Sequence, residues 1–356
     1  MEPHENDGKS CYGGRDLKGY GGSPPNPMWP KNAKVAVNFV INYEEGAEKC
    51  LLHGDNESEK LLSDIVGAAA YEGQRHVNME SLYDYGGRAG FWRLYNLFEK
   101  KKMPATIFAV GMALERNPAV AYELHQSSHE VASHGYRWID YQNVDEETQR
   151  AHIKKTIEIH EKLLGKRPAG FYQGKPNEDT RRLVVEEGGF KYDSDSYADD
   201  LPYWSLEHDR PHLVIPYSLS ENDMRFVAPN GFSNGTDFFT HLKSTLLYLI
   251  DEGKQGSPKM MSVGLHCRLA RPGYAAALSE FMDFCVSHRR DVWVCTREQI
   301  ADHWFNKHPP RMAAPPGTPK SPQNDARETW TGPKTTPTKP VGEEESEVDE
   351  ADGDII

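Results

Sequence analysis

Between Val35 and Phe305 the chain alternates, in one unbroken run, short apolar stretches of strand length with longer stretches of helical periodicity. This restricts the fold more than any other feature, because strands separated by helices of that length must form a parallel sheet with right-handed crossovers. The strands read as Val35–Ile41, Ala105–Val110, Glu130–Ser133, Gly170–Tyr172, Phe190–Asp193, Leu213–Pro216, Met260–His266 and Val292–Cys295. Between them, helices are predicted at Glu57–Val66, from Gly90 to the Lys100-Lys101-Lys102 run, at Pro118–Ser127 with Asn117 as N-cap, and at Glu146–Leu164 ending on Gly165. Further helices follow at Thr180–Glu187, Asp237–Asp251, Tyr274–His288 and Glu298–Phe305. Seven or eight such strands point to an α/β barrel more than to an open sheet. Residues 67–86 read as a long irregular loop, a feature usually kept for function.

The flanks differ from this body. Residues 1–34 are rich in Gly and Pro and predict an arm of turns. The barrel domain is placed at 35–307. From His308 onward stand nine prolines and an acidic end, predicting a disordered tail over 308–356. That tail has a net charge of −5, leaving −8 for residues 1–307. An acidic body without a basic patch argues against nucleic acid and anionic membrane as partners. No apolar run approaches the roughly 20 residues that span a bilayer. The N-terminus lacks the apolar core of a signal peptide, and Cys11, Cys50, Cys267, Cys285 and Cys295 are odd in number without CxxC spacing. A cytoplasmic protein with free thiols is expected. A loop region rich in Tyr and Arg would also suit a homo-oligomer interface.

Candidate chemistry sits where the strands end. The first strand runs into Asn42-Tyr43-Glu44-Glu45-Gly46, and two adjacent carboxylates at the mouth of a parallel sheet raise the pKa of at least one of them. An isolated acidic pair would read as a solvated loop; four other segments give this one partners. His134 follows the third strand. Arg167, in Arg167-Pro168-Ala169-Gly170-Phe171-Tyr172, carries a guanidinium suited to holding a carboxylate ionised. The acidic run Asp193–Asp200 offers an aspartate to orient a histidine, Asp195 first and Asp200 second. His266 ends the strand Met260–His266 and is poised as a general acid. Cys267 beside it reads as a small buried thiol.

In this order the segments resemble the polysaccharide deacetylase superfamily, whose NodB homology domain is a distorted (β/α) barrel. The correspondence runs through Glu44-Glu45, His134 to Trp138, Arg167-Pro168 to Tyr172, Asp193 to Trp204, and Leu265-His266, over roughly residues 30–305. Tyr43-Glu44-Glu45-Gly46, Ser133–Tyr141 and Asp199–Trp204 most resemble the branch of allantoinase-like urate-catabolism proteins and fungal chitin deacetylases. The resemblance implies a hydrolase of carbon–nitrogen bonds. In metal-dependent members an Asp and two His, four residues apart, hold Zn²⁺; here the second His position is Trp138, whose indole has no lone pair for a metal. Glu45 and His134 remain as residual ligands, so no cofactor is expected, with zinc as the alternative should Asp140 or His129 fill in.

The expected mechanism is amide hydrolysis by water. Glu44 is the base, held ionised by Arg167. His266 is the acid, oriented by Asp195, and His134 or Trp138 contacts the oxyanion. Two substrates compete. One is a small cyclic amide such as allantoin, under a cover formed by the loop 67–90 and the segment Arg268–Pro272, whose Arg88, Arg268 and Arg271 would bind ureido oxygens. The other is an N-acetylated sugar such as chitin, on platforms from Trp138, Trp204, Tyr172 and Tyr203. A catalytically inactive barrel that serves as a binding module is the third reading.

Overall fold

The computed structural model describes residues 15–208 and 210–310. Cys11, the start of the expected arm and the expected tail from residue 311 lie outside the described residues. The strands are β1 (Val35–Tyr43), β2 (Thr106–Ala109), β3 (Glu130–Ser133), β4 (Gly170–Phe171), β5 (Tyr192–Asp193), β6 (Tyr203–Ser205), β7 (His212–Val214), β8 (Lys259–His266) and β9 (Val292–Val294). They form one sheet in the order β6-β7-β5-β4-β3-β2-β1-β8, with β9 also on β1. Every pair is parallel except β6–β7. An isolated parallel bridge, Asn222 to Gly264, sets the segment after β7 against β8. The sheet is thus a distorted barrel, bridged and not fully laddered between β7 and β8.

Its axis is β1, which is buried along its whole length. Successive side chains alternate faces. Val35, Val37, Phe39, Ile41 and Tyr43 meet the outer helices in the main core, with Phe98, Leu242, Leu246 and Phe281. Those helices are α2 (Phe91–Lys101), α7 (Gly235–Lys254) and α8 (Pro272–Ser287). Each such side chain contributes about 1.5–3 kcal/mol by leaving water. The other face of β1 points into the barrel, where Val40 packs with Phe108 and Tyr172. Polar residues also enter there, and they are paired. Asn38 Oδ1 accepts from Arg297 Nη1 at 2.8 Å, and the same guanidinium donates to Ser194 and Ser262 hydroxyls and to the carbonyls of Ile215 and Pro216. Arg297, fully buried at the start of α9 (Arg297–Lys307), plugs the barrel floor with neutral acceptors alone.

Two local readings needed correction. No helix forms at Glu57–Val66: Leu62 takes a left-handed φ of 49° and Val66 is 99 % exposed. The apolar spacing there serves packing, since Leu62 and Ile65 lean on the core while Leu61 and Val66 do not. The expected loop 67–86 instead contains α1 (Val77–Tyr85), whose Met79 N–H donates to the His76 ring. A π-helical turn, Gly86–Gly90, joins α1 to α2. A Cβ on Gly86 would strike the Glu45 carboxyl and one on Gly90 the Cys267 carbonyl, so this turn approaches the strand ends as only glycine allows. The remaining helices are α3 (Gly111–Arg116), α4 (Pro118–Gln126), α5 (Glu146–Leu164) and α6 (Thr180–Glu187). Asn117 caps α4 and Gly165, at φ 71°, ends α5, as read from the sequence. Cys50, Cys267, Cys285 and Cys295 are buried free thiols. Among the described residues no helix is long and apolar enough to cross a membrane.

Candidate active site

Because β1, β3 and β8 run parallel, their C-terminal ends bring Glu44, His134 and His266 to one mouth. All three are buried. His134 Nε2 lies 3.3 Å and His266 Nε2 3.6 Å from Glu44 Oε1. The other Glu44 oxygen accepts from Arg268 Nη1 at 2.6 Å. Arg268 is held in a short 3-10 turn after β8 by Leu62 O, which accepts from Nε at 2.7 Å. Its Nη2, also buried, has no hydrogen-bond partner among the described residues.

The charges follow from this packing. Burial alone would lift the Glu44 carboxyl, but Arg268, with His266 and His134 behind it, holds it well below the usual carboxylate range. Glu45 behaves oppositely. Burial, opposed by Arg268 and helped by the Glu44 charge, pushes it up to about 7. It serves the backbone: its oxygens accept from Glu44 N–H at 3.1 Å and Arg268 N–H at 3.0 Å. The acidic pair therefore splits into an ionised acceptor and a structural carboxyl.

Both imidazoles are fixed at Nδ1. His134 Nδ1 lies 3.1 Å from the Tyr172 carbonyl. His266 Nδ1 lies 2.7 Å from Asp223 Oδ1, whose second oxygen accepts from the His266 N–H at 2.7 Å. Since those partners only accept, each Nδ1 carries a proton. The Nε2 atoms then face ionised Glu44, so that either ring, in its imidazolium form, is placed to donate there.

Three expectations about partners are corrected. Arg167 does not hold Glu44. It precedes the two-residue strand β4, so it lies at the opposite end of the barrel, donating to Gly188 O at 2.6 Å and pairing with Glu187 at 3.3 Å. Arg268 fills that role. Asp195 does not orient His266; its carboxylate accepts from the backbone N–H groups of Gln173 and Gly174 at 2.8 and 2.7 Å. Asp200 touches β8 only through its carbonyl at Met260, about 20 Å from His266 at strand rise. Asp223, which sequence reasoning missed, orients His266. It sits in a 3-10 turn after an irregular stretch with no periodicity to flag it, and its one signal is the Glu221-Asn222-Asp223 run.

The expected substrate contacts also sort. Tyr172 lines the interior beside His134, with ring centroids 4.9 Å apart. Trp138 lies against Arg268, 4.9 Å from ring centroid to guanidinium carbon, so its indole face carries a cation. Trp204 is elsewhere: its N–H donates to His308 O at 2.6 Å and its ring packs on Phe305 of α9. Tyr203 bonds Ser196 on the same side. Arg88 is exposed on the π-helical turn. Arg271 stacks on Tyr85 and pairs with Asp64 at 3.4 Å, at the rim and out of contact with Glu44.

The polysaccharide deacetylase family model matches residues 76–192. A protein of Schizosaccharomyces pombe named "Putative polysaccharide deacetylase" is 42% identical over 319 residues, covering 84% of this chain and 99% of its own. A solved structure described as a "probable Polysaccharide deacetylase" from Pseudomonas aeruginosa PAO1 superposes with a TM-score of 0.81 at 53% identity, over 83% of this chain and 99% of its own. The solved Puue allantoinase superposes equally, with a TM-score of 0.81 at 52% identity over 83% and 98%. The zinc implied by metal-dependent members does not fit the donor set here. Trp138 offers no lone pair, the Arg268 cation already occupies the Glu44 carboxylate, and Glu45 is spent on backbone N–H groups. His129, at the far end of β3, faces Glu99, and Asp140 caps Gln142.

Proposed function

We propose that this chain, which belongs to the polysaccharide deacetylase family, opens a small cyclic amide of the allantoin type, by hydrolysis and without a metal ion. Membership makes it a hydrolase of carbon–nitrogen bonds other than peptide bonds. One observation carries the narrower reading. The reacting groups are shut in: Glu44 and Arg268 are each 1 % exposed, beneath Leu62, Tyr83 and the Gly86–Gly90 turn. A polymer needs an open groove with aromatic platforms; of the four expected, Trp204 packs on α9, and Tyr172 and Trp138 are buried against His134 and Arg268. The likeness to the Puue allantoinase supports the same substrate class.

The chemistry follows the charges. Water attacks the ring carbonyl carbon as Glu44 accepts its proton, so a C–O bond forms and the carbonyl π pair moves to oxygen. The unpartnered Arg268 Nη2 is a buried donor free to receive that oxygen. Collapse breaks the ring C–N bond, and the Nε2 proton of His266 goes to the leaving nitrogen while Asp223 keeps the ring in place. Glu44 then returns its proton to His266, and the second proton of the attacking water passes from the product acid to solvent, giving a ureido carboxylate. Each acid or base step of this kind contributes about 10²–10⁴-fold.

The Schizosaccharomyces pombe relative's name favours a second reading, removal of an acetyl group from an N-acetylated sugar. Side-by-side kcat/KM measurements on allantoin and on N-acetylglucosamine oligomers separate the two. Ring opening of allantoin with no acetate released from the oligomers is the expected result. Acetate release without ring opening would replace the first reading by the second.

A further inference from the structure

Lys175 has no part in the chemistry above, yet it is tied to the same site. It follows β4 in the turn Gln173-Gly174-Lys175. The half-buried Asp195 carboxylate clamps that turn through the two preceding N–H groups, and Tyr141 N–H donates to the Lys175 carbonyl at 3.0 Å. Gly174, at φ +78°, lies so close to Tyr172 and His134 that a Cβ would sit 3.2 and 3.3 Å from their rings. The turn therefore has one seat, against the imidazole that faces Glu44. From it the Lys175 ammonium lies 3.4 Å from the centroid of the Trp138 ring, the same ring that carries Arg268. The ammonium of this half-buried lysine is thus set on an indole, with no carboxylate at ion-pair distance among the described residues.

We propose that Lys175 is a catalytic residue, whose ammonium, held on the Trp138 ring, donates to the substrate carbonyl oxygen as it becomes an oxyanion. This rests on the hydrolytic reading above and deepens it. The cation brings to the carbonyl what a metal would otherwise bring, positive charge, next to the buried His134 and Glu44. Only a hydrogen bond forms in this step; the lysine proton stays on nitrogen. Burial lowers the Lys175 pKa, opposed by Glu59 and Glu44, with Arg268 lowering it and Asp140 raising it. It also gives the step a signature, because turnover falls at alkaline pH as this ammonium deprotonates.

Lys175→Met and Lys175→Arg, with the unaltered protein, test the proposal on allantoin and on N-acetylglucosamine oligomers. Lys175→Met is expected to lower kcat about 10²–10³-fold with KM changed only slightly, as for loss of one oxyanion donor. Lys175→Arg should recover at least tenfold of that loss and shift the alkaline limb of kcat to higher pH. Wild-type turnover of allantoin with Lys175→Met at full kcat would overturn the lysine's role and leave the substrate reading standing. Wild-type activity on the oligomers alone would remove the allantoin reading, and the same ratios on that substrate then decide on Lys175. If Lys175→Met lowers kcat and Lys175→Arg neither recovers it nor moves the alkaline limb, the residue is structural and the proposal fails.

Discussion

Replacing Arg268 by methionine is expected to cost about 3–5 kcal/mol of stability and to reduce turnover below detection near pH 7, for one reason. The guanidinium is buried, and it is the main force that keeps Glu44 ionised against burial. Methionine is of similar length and leaves no large void, so the cost is electrostatic: a buried carboxylate that has lost its guanidinium. The sign of the pH effect follows. With Arg268 present, the Glu44 carboxyl lies below the usual range, and its ionised form is available at every pH at which the protein is assayed. Without Arg268, burial is opposed by His266 and His134 only, and the pKa rises. Glu44 is then protonated at neutral pH, and any residual activity returns only as pH increases. Urea denaturation and a pH–rate profile of Arg268→Met measure the two effects. An unchanged acid limb would show that another group holds the Glu44 charge.

Asp223→Asn is expected to lower kcat about 10²–10⁴-fold with a stability change of only about 1 kcal/mol, because an amide can present its NH₂ to His266 Nδ1 and stabilise the wrong tautomer. Asp195→Asn is the informative companion. Its carboxylate accepts two backbone N–H groups and never meets His266, so its loss acts through the Gln173–Lys175 turn. Asp223→Asn should therefore alter the pH dependence of kcat, and Asp195→Asn should lower kcat while leaving the part of that dependence due to His266 in place. The reverse pattern would restore the aspartate expected from the sequence and contradict the geometry.

What the sequence disclosed is uneven, and the reasons are physical. β1 was plain because both its faces are buried, and its apolar run ends on the two carboxylates. His134 and His266 were legible for the same reason: each directly follows or ends a strand whose direction the βα alternation settles. Arg167 misled because β4 is only two residues long, and in so short a strand a residue three positions upstream belongs to the opposite end of the barrel. Arg268 was expected as a substrate contact; its pairing with Glu44 depends on the register of β1 against β8, which places Asn42 beside His266 and carries both strands into the same space. No local pattern encodes that. Asp223 and Lys175 lie in turns whose conformation is set by contacts to other strands. The helix expected at Glu57–Val66 failed because its apolar residues are divided between the core and solvent.

The most direct test of this account is turnover of allantoin by protein treated with a strong chelator and analysed for bound metal. The site as described predicts full ring-opening activity with metal far below one equivalent, unchanged by added Zn²⁺ and abolished in Glu44→Gln. Activity that disappears with the metal and returns on adding Zn²⁺ would contradict it, and would mean that Glu44, His134 and His266 gather around a cation.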